Sequence, residues 1–169
     1  MDRHCKYCFG SMMMVRRDAK FCRVKCRVYF ARELRRIPAA LRAFKAWVRM
    51  KAAKPVQTNG KPASSTNRTT WTDYKSVRRS RQGDGFGVVL GRGLCCYRFK
   101  NAYRRGRLLK RVHQALAAVT EPIIYAEQQQ SELLVFVEGA EQYTSRTRSY
   151  IKLTRNQVIR LTGVRYQLA

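Results

Sequence analysis

Acidic residues are scarce in this chain. Ten Asp and Glu stand against 36 Lys and Arg in 169 residues, a formal net charge of +26. No acid occurs between Leu34 and Thr72, between Gly85 and Thr120, or after Glu141. Solubility requires far less charge of one sign, and such an excess repels itself in the compact state unless a polyanion screens it. A nucleic-acid mimic is excluded by the sign of the charge. A basic surface kept only for solvation is the plainer alternative.

Long apolar runs are missing too. No segment approaches the roughly 20 apolar residues that a membrane span needs, and Ser11 to Val15 is too short for the apolar core of a secretory signal. The chain is expected in the cytoplasm of a bacterial or phage-infected host cell. DNA or RNA is the leading partner, and no membrane partner is expected. Histidine is limited to His4 and His113. No Asp-x-Asp or Asp-x-Glu pair occurs anywhere.

What is present suits a folded protein. Apolar residues make up 45%, with nine Tyr, seven Phe and two Trp, so the chain is not a disordered basic tail. Its length fits one domain with a small appendage. Residues 1–30 are read as a cysteine knuckle, 31–70 as a helix and basic linker, and 71–169 as an α+β domain.

Cys5-x2-Cys8 precedes Cys22-x3-Cys26. Two close pairs joined by a loop match the tetrahedral preference of Zn2+, and neighbouring cations favour thiolates. In a reducing compartment cysteines point to metal before disulfides. Cys5, Cys8, Cys22 and Cys26 are therefore the predicted ligands of a structural Zn2+, with His4 a bystander. Cys95 and Cys96 are read as core or rim residues.

The spacing of Leu41, Phe44, Trp47 and Val48 predicts a helix over 39–50, begun by Pro38. Residues 51–70, rich in Pro, Gly, Ser, Thr and Asn, read as loop, and 72–80 as a short amphipathic helix. FGVVL (86–90) and LCCYRFK (94–100) flank Gly91-Arg92-Gly93 and read as a hairpin. A helix is expected over 108–119, its apolar face formed by Leu108, Leu109, Val112, Ala115, Leu116 and Val119, with His113 on the polar side. Further strands are expected at 123–126, 133–137, 150–154 and 158–162. This order predicts an α+β fold around an antiparallel or mixed sheet.

Five segments in order carry a family resemblance: CKYC with FCRVKCRVYFAR, KAWVRMKAAKPVQTNGKPASSTNRTTWTDYKSV, GDGFGVVLGRGLCCYRFKNAY, EPIIYAEQQQSELLVFVEG, and EQYTSRTRSYIKLTR with VIRLTG. Together they resemble the small bifunctional primase-polymerase proteins of phages, plasmids and actinobacteria, within the archaeo-eukaryotic primase superfamily. The resemblance implies the RRM-related sheet and flanking helices of that family. It also implies where catalytic residues should stand, and they are not there. The family's two Asp-x-Asp positions hold Arg98 and Lys100, its nucleotide-binding histidine falls at Leu134, and its third acid survives as Glu141. Arg and Lys have donors only, whereas Mg2+ requires oxygen ligands. Two cations in place of two carboxylates repel the metals that would clamp a phosphoryl transfer. Arg98 and Lys100 can instead hold a phosphate directly.

Basic residues also interleave with aromatics: Tyr103 with Arg98, Lys100, Arg104, Arg105 and Arg107. Aromatic faces stack on unpaired bases while cations follow the backbone, and Tyr103 is the preferred stacking residue. Tyr97 and Phe99 are read as core. Arg16, Arg17, Lys20, Arg23, Lys25 and Arg27 surround the cysteines, and Arg78 and Arg79 form another basic cluster on a helix.

The expected function is nucleic-acid binding on a primase-polymerase-like scaffold without catalysis, as a replication accessory or an inhibitor. Two other functions fit the same residues. One is an active primase or polymerase that uses Mg2+ or Mn2+ at a rearranged site built from Glu127, Glu132, Glu138 and Glu141. The other is docking on a ribonucleoprotein, a replication protein or another acidic partner.

Overall fold

The computed structural model describes residues 5, 12, 13, 16, 18–34, 37–139, 150–162, 165 and 166. Its architecture is α+β, with antiparallel sheets and few helices. No helix among the described residues is long and apolar enough to cross a membrane.

Helix α1 spans Val24–Leu34 and α2 spans Ala39–Ala43. Strands β1 (Trp47–Lys51) and β2 (Lys54–Val56) follow, then a 3-10 turn at Arg68–Thr70 and helix α3 (Tyr74–Arg79). Asp73 caps α3, its carboxylate accepting the Ser76 backbone N–H at 2.9 Å, as an N-cap acid should. Strands β3 (Gly85–Val89) and β4 (Leu94–Phe99) come next. A small ribbon of β5 (Tyr103–Arg104) and β6 (Arg107–Leu108) leads into helix α4 (Lys110–Ala117). Strands β7 (Ile123–Gln129), β8 (Glu132–Glu138), β9 (Ile151–Leu153) and β10 (Val158–Leu161) complete the order.

The strands form two four-stranded sheets, β10-β3-β1-β2 and β7-β8-β4-β9, and every pairing in them is antiparallel. Side chains alternate faces along a strand, and β4 and β8 use both faces. Leu94, Cys96, Leu134 and Phe136 join one core with Trp47, Met50, Phe86, Val88, Ile159 and Leu161 of the first sheet. Cys95, Tyr97, Phe99, Leu133, Val135 and Val137 join a second core, closed by Val112, Ala115 and Leu116 of α4. The second sheet thus lies between the first sheet and α4. Each fully buried side chain of this kind contributes about 1.5–3 kcal/mol.

Three expectations are corrected. The helix expected over 39–50 ends at Ala43, where Phe44 turns extended. Trp47–Met50 is instead a strand buried on both faces, and a central strand shows no alternation that would separate it from a helix. With β1 and β2, the α+β unit takes in chain read as linker, so it extends beyond 71–169. Second, β3 and β4 are not a hairpin. β3 is flanked by β1 and β10, which fill both its edges, so β4 starts the other sheet. Gly91, Arg92 and Gly93 all have positive φ, at 124°, 57° and 86°, and this tight turn carries the chain between sheets. Third, the sequence reading places no helix over Val24–Leu34, where α1 forms. The helix over 108–119 is observed as α4, with all six predicted apolar residues in or against the second core.

Candidate nucleic-acid interface and cysteine cluster

The ligand atoms of Cys5, Cys22 and Cys26 all lie within 4.8 Å of one another. Cys22 Sγ is 3.5 Å from Cys26 Sγ, far beyond the roughly 2.05 Å of a disulfide. Tetrahedral Zn–S bonds of about 2.3 Å place sulfurs about 3.8 Å apart, so the cluster is close enough to hold a metal ion. Cys22 precedes α1 and Cys26 lies in its first turn, so the helix start sets their separation. Cys5 is buried against them. The predicted fourth ligand, Cys8, and His4 lie outside the described residues. Among the described residues no other group of three His, Cys, Asp or Glu side chains converges in this way.

The basic residues near the cysteines divide. Lys20, Arg23 and Arg27 line one concave surface with Phe21 and Val24. Lys25 turns away and places its ammonium 5.6 Å from the Tyr29 ring centroid. Arg16 is exposed, and Arg17 lies outside the described residues. Arg78 and Arg79 are exposed in the last turn of α3, where cations suit the helix dipole.

Arg98 and Lys100 do not act as a pair. Arg98 points from β4 into a cleft between the sheets, lined with Gln129, Glu132, Leu134 and Arg160, of about 150 Å3. Its Nε and Nη2 donate to the two Glu132 carboxylate oxygens at 2.9 and 3.0 Å. Lys100 lies past the end of the strand, exposed in a turn with Asn101 at φ 47°. Leu134 is a core residue, 3% exposed.

The glutamates do not converge either. Glu127 is fully buried and accepts from the Tyr125 hydroxyl at 3.0 Å, the Thr162 backbone N–H at 2.8 Å, and the Gln129 amide. Glu132 and Glu138 stand at opposite ends of β8, about 20 Å apart at about 3.3 Å per residue. Glu141 lies outside the described residues. Sequence reasoning missed the second arginine of the cleft. Arg160 on β10 pairs with Asp84 at 3.1 Å, and a Cβ added at Gly85 would come within 3.0 Å of its guanidinium. It also missed Arg49, which is buried, stacks 4.7 Å from the Phe86 ring centroid and bonds the Gln82 carbonyl. Burial lowers its pKa, with the nearby Arg160 charge adding to this and Asp84 opposing.

Arg104, Arg105 and Arg107 do come together, lining one concave surface on the β5–β6 ribbon. Tyr103 is not a stacking platform. It packs against the second core, meets Tyr166 edge-on at 6.1 Å, and has a buried hydroxyl with no hydrogen-bond partner among the described residues. Burial, with the Tyr166 hydroxyl adding to it, pushes that hydroxyl far above its ordinary pKa. Tyr97 and Phe99 are core, as expected. Cys95 and Cys96 are fully buried, and burial pushes the Cys96 thiol well up.

No protein-family model matches the chain, and no curated protein matches it.

Proposed function

We propose that this chain binds nucleic acid without synthesising it, on a scaffold related to the primase-polymerase proteins, with Zn2+ as a structural ion at its cysteine cluster. One observation carries the proposal: among the described residues five acids are occupied within the fold, and the exposed cations far outnumber the exposed acids, Asp18 and Glu138. Asp73 caps a helix, Asp84 holds Arg160, Glu121 holds Lys152, Glu127 is buried and Glu132 holds Arg98. Lys20, Arg23, Arg27, Arg78, Arg79, Lys100, Arg104, Arg105 and Arg107 are left exposed or lining open concave surfaces. The external field is then strongly positive, which draws a polyanion in and holds its phosphates by counterion release.

Zn2+ would be held by Cys5, Cys22 and Cys26, with Cys8 supplying the fourth thiolate that the spacing provides. Zinc in such a site adds folding energy and no chemistry. It would fix α1 and the basic surface of Lys20, Arg23 and Arg27 beside the metal. In the inter-sheet cleft, Arg98 stands where the family resemblance expects an acid, and it is tied to Glu132. A guanidinium there opposes a divalent cation and leaves the scaffold as a binder, a replication accessory or an inhibitor that occupies its target.

The test is primer extension and a gel shift on one purified sample, with DNA and RNA templates, in Mg2+ and then Mn2+. The proposal predicts shifted nucleic acid and no extended product. Metal-dependent extension by the wild-type chain would overturn it.

A further inference from the structure

The β5–β6 ribbon has features that a merely solvated loop does not need. Arg104 and Arg107 are directly opposed cross-strand partners, so two like charges share one face, a destabilising arrangement in isolation. Between them, Arg105 and Gly106 have φ of 50° and 76°, the two-residue turn whose twist suits a tight ribbon. Arg105 occupies a position that Asn, Asp or Gly would fill with less strain. Three arginines thus line one concave surface of about 540 Å3.

The base of the ribbon is fixed while its tip is open. Leu109 N–H donates to the Ala102 carbonyl at 2.9 Å, Ala102 N–H to the Ser131 carbonyl at 2.6 Å, and Arg111 Nη2 to the Asn101 carbonyl at 2.8 Å. Tyr103 and Leu108 pack on the second core. The arginines are therefore presented by a backbone that does not have to order on binding, and Lys100 and Lys110 are exposed at its foot.

We propose that this ribbon enters the major groove of B-form duplex DNA, its arginines gripping the flanking phosphates. The inference rests on the nucleic-acid-binding function above and names the form of its target. Two paired strands are about 4.8 Å apart, and the B-form major groove, about 12 Å wide, admits a two-stranded ribbon. The major groove of A-form RNA is too narrow for side chains to read. Single strands are held on aromatic platforms, and the ribbon's one aromatic, Tyr103, is turned into the core.

The experiment compares the full chain with R104Q/R107Q and with a charge-matched control, K54Q/K61Q, on a 20-base-pair DNA duplex, its single strand and a duplex RNA. Near-ultraviolet circular dichroism checks that each variant keeps its packing. Affinity for duplex DNA should fall about tenfold in R104Q/R107Q and the salt slope should drop by about 2, near 0.9 per phosphate contact. The control should change little. Methylation of guanine N7 in the duplex should be blocked by the wild type and restored in R104Q/R107Q. Equal losses in the two variants, equal losses on duplex RNA or single strand, or N7 positions left open would overturn the inference while nucleic-acid binding stood. A wild-type chain that binds no nucleic acid overturns both.

Discussion

Arg98 grips Glu132 through two parallel hydrogen bonds of 2.9 and 3.0 Å, at the mouth of the cleft between the sheets. The arginine side chain is 39% exposed and the glutamate 23%. A pair so open to water adds little stability, on the order of 0–1 kcal/mol. It does hold a cation in a fixed direction, and its carboxylate competes with any incoming phosphate. Glu132→Gln should therefore lower the unfolding free energy by less than about 1 kcal/mol and raise affinity for nucleic acid. Urea midpoints and fluorescence anisotropy check both parts. A loss of affinity would mean that Glu132 orients Arg98 and does not compete with the ligand.

The cysteines should separate into two chemical classes. With metal removed by chelation, Cys22 and Cys26 should alkylate readily, because they are partly exposed and stand among Arg and Lys. Such surroundings favour the thiolate, which is the reactive form. Cys96, fully buried and with its thiol pushed well up by desolvation, should alkylate only after unfolding. The purified chain should carry one zinc per molecule by elemental analysis, lost in Cys22→Ser and kept in Cys95→Ser. Zinc retained in full by Cys22→Ser would contradict the assignment.

Glu127 is a structural acid and should behave as one. Its carboxylate accepts three donors in the core. Glu127→Ala removes the acceptor that the Tyr125 hydroxyl, the Gln129 amide and the Thr162 N–H share, while the Gln129 amide keeps its bond to the Arg160 carbonyl. Losing a buried hydrogen-bond partner costs about 1–3 kcal/mol. Partial rehydration of the site should bring the total to about 3–4 kcal/mol, read from urea unfolding. Glu127→Gln keeps the shape and one acceptor and should cost less. If Glu127 served a metal, both variants would leave stability nearly unchanged.

Acid should weaken the Glu121–Lys152 ion pair. Burial pushes the Glu121 carboxyl up, but hydrogen bonds from Lys152, its own backbone N–H and Tyr97 outweigh it, and the net direction is down from 4.5. Burial likewise opposes the charge on Lys152, but the bond to Glu121, with Tyr97 and the Glu121 charge adding to it, raises its pKa above 10.5. A depressed acid contributes stability above its unfolded pKa and loses it as pH falls through the folded value. A raised amine contributes below its unfolded pKa and loses it as pH rises through the folded value. The difference in urea midpoint between wild type and Glu121→Gln should be flat from about pH 5 to 10 and shrink below 4.5 and above 10.5. A difference that grows in acid would contradict this pairing.

The sequence was most legible where the period was clear. The apolar residues spaced from Leu108 to Val119 all pack in or against the second core around α4, and the alternation of β4 and β8 separates two cores. It was least legible where burial on both faces erases the period. Trp47 to Met50 looked helical because Leu41, Phe44, Trp47 and Val48 happen to be spaced that way, yet it is a central strand. Strand partners were also hidden. Gly91-Arg92-Gly93 marks a turn, but nothing local says that β1 and β10 already occupy the edges of β3. At the candidate sites, the cysteine spacing foretold a cluster that three described cysteines form. Tyr103 misled because exposure cannot be read from composition, and the Arg98–Glu132 pair joins residues 34 apart across neighbouring strands.

Salt dependence of binding tests the central claim most directly. The full chain is titrated into labelled duplex DNA from about 50 to 400 mM salt, and the association constant is followed by anisotropy. The account predicts tight binding at low salt and a steep linear fall of log K with log salt. The slope should correspond to six or more phosphate contacts at about 0.9 each. No binding at about 50 mM salt, or a slope near zero, would contradict it and leave the charge of +26 to a different polyanion.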